Sequence, residues 1–315
     1  MRKPPLVCVL TFLALAANLS ATGPIRCGIE MRNVSLHMAE GVVLGITSLD
    51  GEFVSRSPAE PPVFDDPGSY TLRMKAADVA MDAASLTTML KQTLASHPSP
   101  ISNVTLTFEE GKLQAKGTLK KGVSVPFTML ASVSPTPDGL LRLHAEKVKA
   151  VGVPVKGLLD LLGLDVEDLM KMPPGTGIRA DKDDLLLDTT TMLPPPRMEG
   201  KVTAATVSGN RLHMRMTGPA QPPPRQPTLP VPSAKNYLYF FGGSIRFGKL
   251  TMSDADMQLV DADPSNPFDF FPGRYLAQLV AGYSRTTRRK GLQVFMPDYA
   301  RVASNGGMLK SPKVQ

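Results

Sequence analysis

Histidines and aspartates are the side chains of this sequence whose types could coordinate a metal or transfer a proton. The histidines at positions 37, 97, 144 and 213 are scattered, and none has a second histidine or a carboxylate at metal-ligand spacing. Two acidic stretches, residues 181–184 and 254–263, could offer oxygen ligands to calcium, but neither has the spacing of a known calcium loop. The sequence therefore predicts no metal site and no cofactor.

The local motifs of hydrolases and of nucleotide-binding enzymes are not found in the chain. No Gly-x-Ser-x-Gly pattern is present, and the pair Gly242-Gly243 lacks the Lys and the Ser or Thr that a phosphate-binding loop requires. An enzyme would need a site assembled from residues that leave no local trace in the sequence. We therefore predict that the protein is not an enzyme.

The beginning of the chain has the pattern of a secretory signal. Arg2 and Lys3 precede an apolar run over residues 6–19, which is followed by small residues. As a helix this run of about 14 residues would span ~21 Å, short of the ~30 Å hydrocarbon core of a membrane. We predict that residues 1–21 are a signal peptide and that the protein is exported to the periplasm or cell envelope. The best cleavage site follows Ala21, but Leu19, two residues before Ala21, is not small, which leaves an uncleaved N-terminal anchor as the alternative.

The basic residues exceed the acidic ones, with 35 Lys and Arg against 28 Asp and Glu and a formal net charge of +7. The tightest basic cluster, Arg285, Arg288, Arg289 and Lys290, lacks the interleaved aromatics of a nucleic-acid-binding stripe. In an exported protein this cluster suits an anionic membrane surface, where each basic residue contributes about 1 kcal/mol. These four residues are candidates for headgroup or membrane contact, and a solvated charged turn is the alternative.

Alternation of apolar and polar residues with period two is the main signal from residue 33 to residue 216. Residues 104–119 and 178–187 read as β-hairpins, residues 123–133 as one long strand, and residues 202–216 as a further hairpin. Two segments break this alternation and have the apolar spacing of a helix. The first helix is predicted behind a cap at Asp82, with Leu86, Met89, Leu90 and Leu94 on one face. The second is predicted from Leu158, Leu159, Leu161, Leu162 and Leu164. We predict an α+β fold in which a highly curved antiparallel sheet, over residues 28–217, wraps around one or two apolar helices.

The C-terminal third of the chain differs in composition from the rest. Residues 218–235 are rich in proline and are predicted to form a linker, because proline excludes regular helix and central strand. Residues 236–303 hold most of the aromatic side chains and predict an α+β extension, with a helix after Pro272 and strands at 245–252 and 257–260. This extension either adds strands to the first domain or stands alone, and residues 304–315 are predicted to be a disordered tail.

The order of elements over residues 29–216 resembles that of a known protein family. It consists of the Ala-Ser-Leu-Thr-Thr-Met-Leu helix from Ala84, a hairpin over 101–119, the Val-Ser-Val-Pro-Phe-Thr-Met strand from Val123, and the Val-Gly-Val-Pro-Val-Lys-Gly-Leu-Leu-Asp-Leu-Leu-Gly-Leu segment from Val151. It resembles the LmeA-type phospholipid-binding proteins of bacterial envelopes and, more distantly, the tubular lipid-binding (TULIP) superfamily. The resemblance implies a curved antiparallel sheet that wraps a long helix and leaves an apolar tunnel.

The resemblance also implies a function and a set of lining residues. The protein would bind phospholipid or another acyl-chain lipid in an apolar groove, and would act in lipid transport or envelope maintenance. The side chains expected to line the groove are Leu86, Met89, Leu90, Leu94, Val104, Leu106, Phe108, Val125, Phe127, Met129, Leu158, Leu161 and Leu162. Each CH₂ buried there contributes about 0.8 kcal/mol.

Two other functions stay open at the level of sequence. The first is a non-enzymatic interaction module of the envelope, with a fully packed barrel and with the proline-rich segment and aromatic extension docked on a protein partner. The second is an envelope hydrolase whose site has no recognisable motif. The 17 methionines suit either an adaptable lipid groove or an ordinary core.

Overall fold

The computed structural model describes residues 24–95, 101–121, 123–150, 177–181 and 184–305. Of these residues 57% lie in strands, few lie in helices, and the sheet curls into a half-barrel. The expectation of a β-rich fold is therefore confirmed. The predicted signal peptide and the predicted helix around residues 158–164 lie outside the described residues.

The strands, in chain order, are β1 (Arg26–Ala39), β2 (Val42–Ser55), β3 (Tyr70–Asp82), β4 (Ile101–Glu109), β5 (Lys112–Lys121), β6 (Val123–Pro135), β7 (Leu141–Ala150), β8 (Ile178–Asp181), β9 (Asp184–Leu187), β10 (Arg197–Glu199), β11 (Lys201–Ser208), β12 (Arg211–Thr217), β13 (Tyr237–Phe247), β14 (Leu250–Ser253), β15 (Asp256–Asp261), β16 (Phe268–Phe270), β17 (Tyr283–Thr286) and β18 (Leu292–Met296). The helices of the described residues are α1 (Ala83–Ala95), α2 (Thr189–Met192), α3 (Tyr275–Ala281) and α4 (Tyr299–Asn305).

Twelve strands form the larger of two sheets, with the order β11-β12-β3-β2-β1-β13-β15-β18-β17 and with β10, β14 and β16 added to β3, β13 and β1. The antiparallel pairing of β1 with β13 joins Cys27 to Gly243 and Arg32 to Tyr237. Residues 236–303 thus add strands to the sheet that begins with β1, which is one of the two alternatives that the sequence leaves open. The strand expected over residues 245–252 is two strands, because a turn at Gly248 (φ +53°) separates β13 from β14.

Six strands form the smaller sheet, in the order β4-β5-β6-β7-β9-β8 and antiparallel throughout. Its antiparallel pairs β4–β5 and β8–β9 confirm the strand pairings predicted from alternation, as does β11–β12 in the larger sheet. The polar face of the smaller sheet is solvated and its apolar face is turned inward. Strands β6 and β11 are in contact, and one hydrophobic core contains side chains from both sheets.

Helix α1 joins the two sheets and confirms the helix predicted over residues 86–94. The Asp82 carboxylate accepts a hydrogen bond from Ser85 N at 2.7 Å, as expected of a helix cap. The Ser85 hydroxyl accepts from Val43 N of β2 at 3.1 Å, and the Thr87 hydroxyl accepts from Leu106 N of β4 at 2.9 Å. Side chains of α1 thus cap free backbone donors on one strand of each sheet.

The proline-rich segment 218–235 contains no helix or strand, but it lies along the larger sheet and does not separate two bodies. We call this segment the strap. At one end of the strap, Ala220 N donates to Met74 O. Gln221 N donates to the buried Glu52 carboxylate at 3.1 Å, and Val231 N donates to the Gln258 side chain at 2.7 Å. The prediction of a linker is corrected here, because side chains on the outer face of β2 and β15 bind the backbone of the segment.

The C-terminal boundary predicted at residue 304 also differs from the structure. Residues 304 and 305 are the last two residues of α4, and the Ser304 hydroxyl donates to Ala300 O at 2.8 Å. The predicted tail therefore begins inside a helix, and its remaining residues, 306–315, lie outside the described part of the chain.

Candidate functional site

The lining residues predicted on α1 and β4 come together, and they do so as packed core. Met89, Val104 and Leu106 are buried. The remaining four, which are half-buried and pack against the same core, are Leu86, Leu90, Leu94 and Phe108. The three buried side chains therefore offer no surface to a ligand, and the four half-buried ones offer only a part of theirs. The candidates Leu158, Leu161 and Leu162 lie outside the described residues.

The lining residues predicted on β6 are less completely covered. Val125, Phe127 and Met129 point to the inner face of the smaller sheet, together with Ala131 and Val133. Ala131 is buried, and the half-buried Met129 and Val133 pack against the hydrophobic core, whereas Val125 and Phe127 are half-buried and are not among the side chains of that core. We call these five side chains the β6 strip. It spans eight residue steps, or about 26 Å along the strand.

The neighbouring strands extend the apolar surface around the β6 strip. Phe127 lies across from Gly117 of β5 and Ala150 of β7, and Met129 lies across from Val148. A Cβ atom at position 117 would come within 2.9 Å of the Phe127 ring, so the absence of a side chain at Gly117 makes room for this ring. Val148 and Ala150 are themselves half-buried. The structure thus brings a continuous, incompletely covered apolar surface onto β6 and β7.

The four basic candidates lie on a different sheet from the β6 strip. Arg285 is in the edge strand β17, with its guanidinium 5.4 Å from the centroid of the Tyr283 ring. Arg288, Arg289 and Lys290 form the turn between β17 and β18, and all four basic side chains are exposed. Strand β17 and strand β11, the one that contacts β6, are at opposite ends of the larger sheet. These residues therefore form a surface of their own.

An open cleft of about 1080 Å³, which the sequence does not predict, lies where the chain crosses from the smaller to the larger sheet. Its charged lining consists of Arg56, Asp188, Arg197, Glu199 and Lys201. Glu199 accepts from Arg73 Nε at 2.7 Å. Burial raises the pKa of Asp188, but hydrogen bonds from the backbone and hydroxyls of two threonines outweigh it and lower the pKa. Both carboxylates are thus already paired, and the cleft suits an anionic group better than a cation.

The residues of this cleft leave no local signal in the sequence. They come from separate segments around positions 56, 67, 188–201 and 217–219, which meet only because β10 pairs with β3 in parallel. The short β10 and the four-residue helix α2 lack a hydrophobic period long enough to be recognised. The cleft could not be predicted because the sequence does not show which distant segments pair as strands.

The side chains of His37, Asp269 and Cys27, which could transfer a proton or react as a thiol, are held in contacts that stabilise the fold. His37 Nε2 is paired with Asp269 Oδ1, and the imidazole ring is stacked at 5.3 Å on Phe271. Burial raises the pKa of Asp269, but hydrogen bonds from His37 and from Ala300 N outweigh it and lower the pKa. Cys27 is fully buried, which raises the pKa of its thiol to about 12 and keeps it protonated. In the described part of the chain, no three His, Cys, Asp or Glu side chains are arranged to hold a metal ion.

Comparisons with known proteins give no relative for this chain. No protein-family model matches it, and neither a curated protein nor a solved structure matches it. Among the described helices, none is both long and apolar enough to cross a membrane.

Proposed function

We propose that the protein binds the acyl chain of a phospholipid or of another acyl-chain lipid, along the β6 strip and the adjoining face of β7. The observation that carries this proposal is the incomplete burial of apolar side chains on an inward-facing surface. In a protein interior that serves only as core, such side chains are packed to crystal-like density. A flexible apolar ligand would complete the packing at this surface.

The hydrophobic free energy gained by burying an acyl chain on the β6 strip is sufficient for binding. Each CH₂ removed from water contributes about 0.8 kcal/mol, so about ten methylenes along the strip offer several kcal/mol after the cost of ordering the chain. The strip of about 26 Å is longer than a common acyl chain, whose carbon–carbon steps each add little more than 1 Å. The proposal is for binding, not for catalysis, and places the protein in the periplasm or cell envelope with a role in lipid transport or envelope maintenance.

The curled, strand-rich sheet supports a relation to the tubular lipid-binding architecture at the level of general shape. Its long antiparallel hairpin β1–β2 and the helix α1 between the two sheets are in keeping with a sheet that encloses a hydrophobic interior. We therefore retain the TULIP-like fold as part of the proposal.

One observation favours a second function, that of a packed interaction module of the envelope. The lining candidates on α1 and β4 are core residues, and the strap over 218–235 is tied to the larger sheet at both ends. In that case the β6 strip would be the margin of an ordinary core, and a protein partner would dock on the outer surface.

Native mass spectrometry separates the two functions. The protein is purified from the envelope without detergent, weighed in its native state, and extracted with organic solvent for lipid identification. We expect a stoichiometric lipid adduct. A mass without adduct, together with no uptake from phospholipid vesicles, would refute the lipid proposal.

A pair of variants on β6 places the adduct. Phe127→Asp puts a charge on the inner face and should abolish the adduct, whereas Ser124→Asp puts the same charge on the exposed outer face of the same strand and should leave the adduct intact. Thermal unfolding of both variants checks their folding. If Phe127→Asp does not fold, Phe127→Ala should still fold and carry less lipid than the parent.

A further inference from the structure

The open cleft beside β10, which we call the β10 cleft, is lined by basic side chains that project from one side of the chain. Arg197 and Lys201 both line it, and both are exposed. Met198 and Val202, the residues that follow each of them, are buried in the core. Because successive side chains of an extended strand point to opposite faces, Arg197 and Lys201 project together from the outer face of the larger sheet.

The register of the strands brings a third basic side chain to the same face. Arg197 pairs with Thr71 of β3, and Thr71 pairs on its other side with Val54 of β2. Arg56 lies two residues beyond Val54 and therefore leaves the sheet on the same side. Two strand spacings and two residue steps put the backbones of Arg56 and Arg197 about 12 Å apart, a gap that two long side chains can close around one oxyanion.

The carboxylates of this surface already have partners. Glu199, between Arg197 and Lys201, accepts from Arg73 Nε at 2.7 Å. Asp188 accepts from the hydroxyls of two threonines at 2.6 and 2.7 Å. Glu60, which shares a smaller neighbouring cavity with Arg56, lies 3.5 Å from an arginine of β13. These acidic groups are therefore engaged within the fold.

The basic side chains keep donors for a ligand. In the described part of the chain, neither Arg197 nor Lys201 forms an ion pair with a carboxylate. Asp138 lies near Lys201 but accepts from Thr136 Oγ1 at 2.6 Å. Arg56 uses Nη1 to donate to a backbone oxygen of the cleft at 3.2 Å, and its other guanidinium nitrogens have no hydrogen bond to the described residues. The cleft thus offers positive charge that the described fold does not neutralise.

The shape of the β10 cleft indicates a ligand larger than an inorganic ion. Its volume of about 1080 Å³ is that of a site for a small organic molecule. One part of the lining is apolar and consists of Pro67, Leu193, Pro195, Met198 and Pro219. We call these five side chains the proline wall. An anionic group at the arginines and an organic part on the proline wall would together fill the cleft.

We propose that the β10 cleft binds a small organic phosphate, with the phosphate group between Arg56 and Arg197 and the organic part on the proline wall. The planar guanidinium group donates two parallel hydrogen bonds to a phosphate, and Lys201 adds a third positive charge. A phosphate monoester, with close to two negative charges at neutral pH, matches these cations better than a single carboxylate does. This site goes beyond the proposed lipid function, because it lies on the outer face of the larger sheet and the β6 strip lies on the inner face of the smaller one.

Calorimetric titration of the full chain with phenyl phosphate tests the proposal. We expect one molecule to bind, phenol to show no binding, inorganic phosphate to compete weakly, and affinity to fall at high salt. In NMR of the labelled protein, phenyl phosphate should shift the amide signals of Gly68 and Lys201 and leave those of the β6 strip in place. No binding by the parent chain, or equal binding of phenol, would overturn the proposal.

Charge variants separate the cleft from net charge. Arg197→Gln with Lys201→Gln should weaken phenyl phosphate binding by about tenfold or more, because two charge-assisted contacts are lost. Lys147→Gln with Lys149→Gln makes the same change of net charge on the exposed face of β7 and should have little effect. All four positions are exposed, so the thermal unfolding temperature should stay unchanged. Equal losses in the two double variants would refute a local site.

Two further titrations relate the cleft to the β6 strip. Phe127→Asp should lose the lipid adduct and keep phenyl phosphate binding, and loss of both in a folded protein would overturn the inference. Dihexanoyl phosphatidate carries the same phosphate chemistry on a lipid. Tighter binding of this lipid than of phenyl phosphate, with the gain removed by Phe127→Asp, would assign the phosphate to a lipid headgroup, whereas equal affinities would assign it to a soluble ester. A parent chain without lipid adduct that still binds phenyl phosphate would refute the lipid proposal alone.

Discussion

The two sheets of this protein differ in how completely their faces are covered. On the larger sheet, Ile29, Leu238 and Phe240 have no exposed surface on the inner face. Over β1 and β2 the outer face is covered as well, since Glu30 and Glu52 are buried beneath the proline-rich strap, whereas every second side chain of β12 is exposed. The smaller sheet has a solvated outer face, and four of the five side chains of its β6 strip are only half-buried.

The larger sheet is therefore the more completely packed region, and the smaller sheet is the region that keeps uncovered apolar surface. Burial of both faces at β1 and β2 gives the larger sheet the greater share of the free energy of unfolding, because hydrophobic stabilisation grows with the apolar area removed from water. The smaller sheet contributes less and keeps an apolar surface that a ligand can cover. Function is therefore expected where packing is incomplete, and stability where it is complete.

The largest effect is expected from phenylalanine truncation on the two sheets. Phe240→Ala removes a fully buried ring that packs against Phe53, Phe64 and Phe247, and should lower the free energy of unfolding by about 3–5 kcal/mol. Phe127→Ala removes a half-buried ring from the β6 strip and should cost about 1–2 kcal/mol. Urea denaturation measures both values. Equal costs would remove the distinction between the two sheets.

The next effect concerns the strap on the larger sheet. Glu30 is buried and accepts hydrogen bonds from Tyr237 Oη and Arg225 Nη1, both at 2.6 Å. Glu30→Gln weakens these charge-assisted bonds and should lower the free energy of unfolding by about 1–3 kcal/mol. Hydrogen exchange at Gln221 N and Val231 N should become faster. Unchanged protection of these amides would mean that the strap is held in another way.

A pH dependence should distinguish the carboxylates of the two sheets. Burial, only partly opposed by hydrogen bonds from Asn236 and from Asp263 N, raises the pKa of Asp261 on the larger sheet to about 6. On the smaller sheet, a hydrogen bond from Lys112 lowers the pKa of Glu146. Because the folded state takes up a proton at Asp261 before the unfolded state does, its contribution to stability should rise by about 1 kcal/mol from about pH 7 to about pH 5.

The measurement is the difference in free energy of unfolding between the parent chain and Asp261→Asn at the two pH values. The asparagine keeps the shape of the side chain and cannot ionise. The parent should gain stability on acidification relative to the variant. A parent that loses stability relative to Asp261→Asn over this range would show that the carboxyl is ionised at little cost in the fold.

The smallest effect is expected on the solvated face of the smaller sheet. Lys112 Nζ is paired with Glu146 Oε2 between β5 and β7, and both side chains are about a third exposed. Lys112→Gln should leave the free energy of unfolding almost unchanged, because solvent screens such a pair. A loss comparable with that of Glu30→Gln would mean that this face is less solvated than the structure indicates.

Elements with a regular hydrophobic period could be predicted from the sequence. Alternation identified the hairpins β4–β5, β8–β9 and β11–β12, and helical spacing identified α1, because each of these signals is local. The helix after Pro272 was also correct in place. Its apolar residues would ordinarily be assigned to the core, and only the buried Gln278 reveals that they face outward.

Features that depend on distant partners could not be predicted. Proline composition indicated that residues 218–235 contain no regular element, but the strap is fixed by Glu52 and Gln258, which are far away along the chain. The pairing of β1 with β13 joins residues about 200 positions apart and decides that the aromatic extension belongs to the larger sheet. The cleft beside Arg197 arises from the parallel pairing of β10 with β3, which has no local signature.

The most direct test of the difference between the sheets is NMR of the methyl-labelled protein with a nitroxide-labelled fatty acid. We expect the bound nitroxide to broaden the methyl signals of Val125, Met129 and Val148, on the smaller sheet, and to leave those of Ile29 and Leu238, in the larger sheet, unchanged. Equal broadening of both groups, or none at a saturating concentration of the fatty acid, would contradict the claim that the β6 strip is the ligand-binding surface.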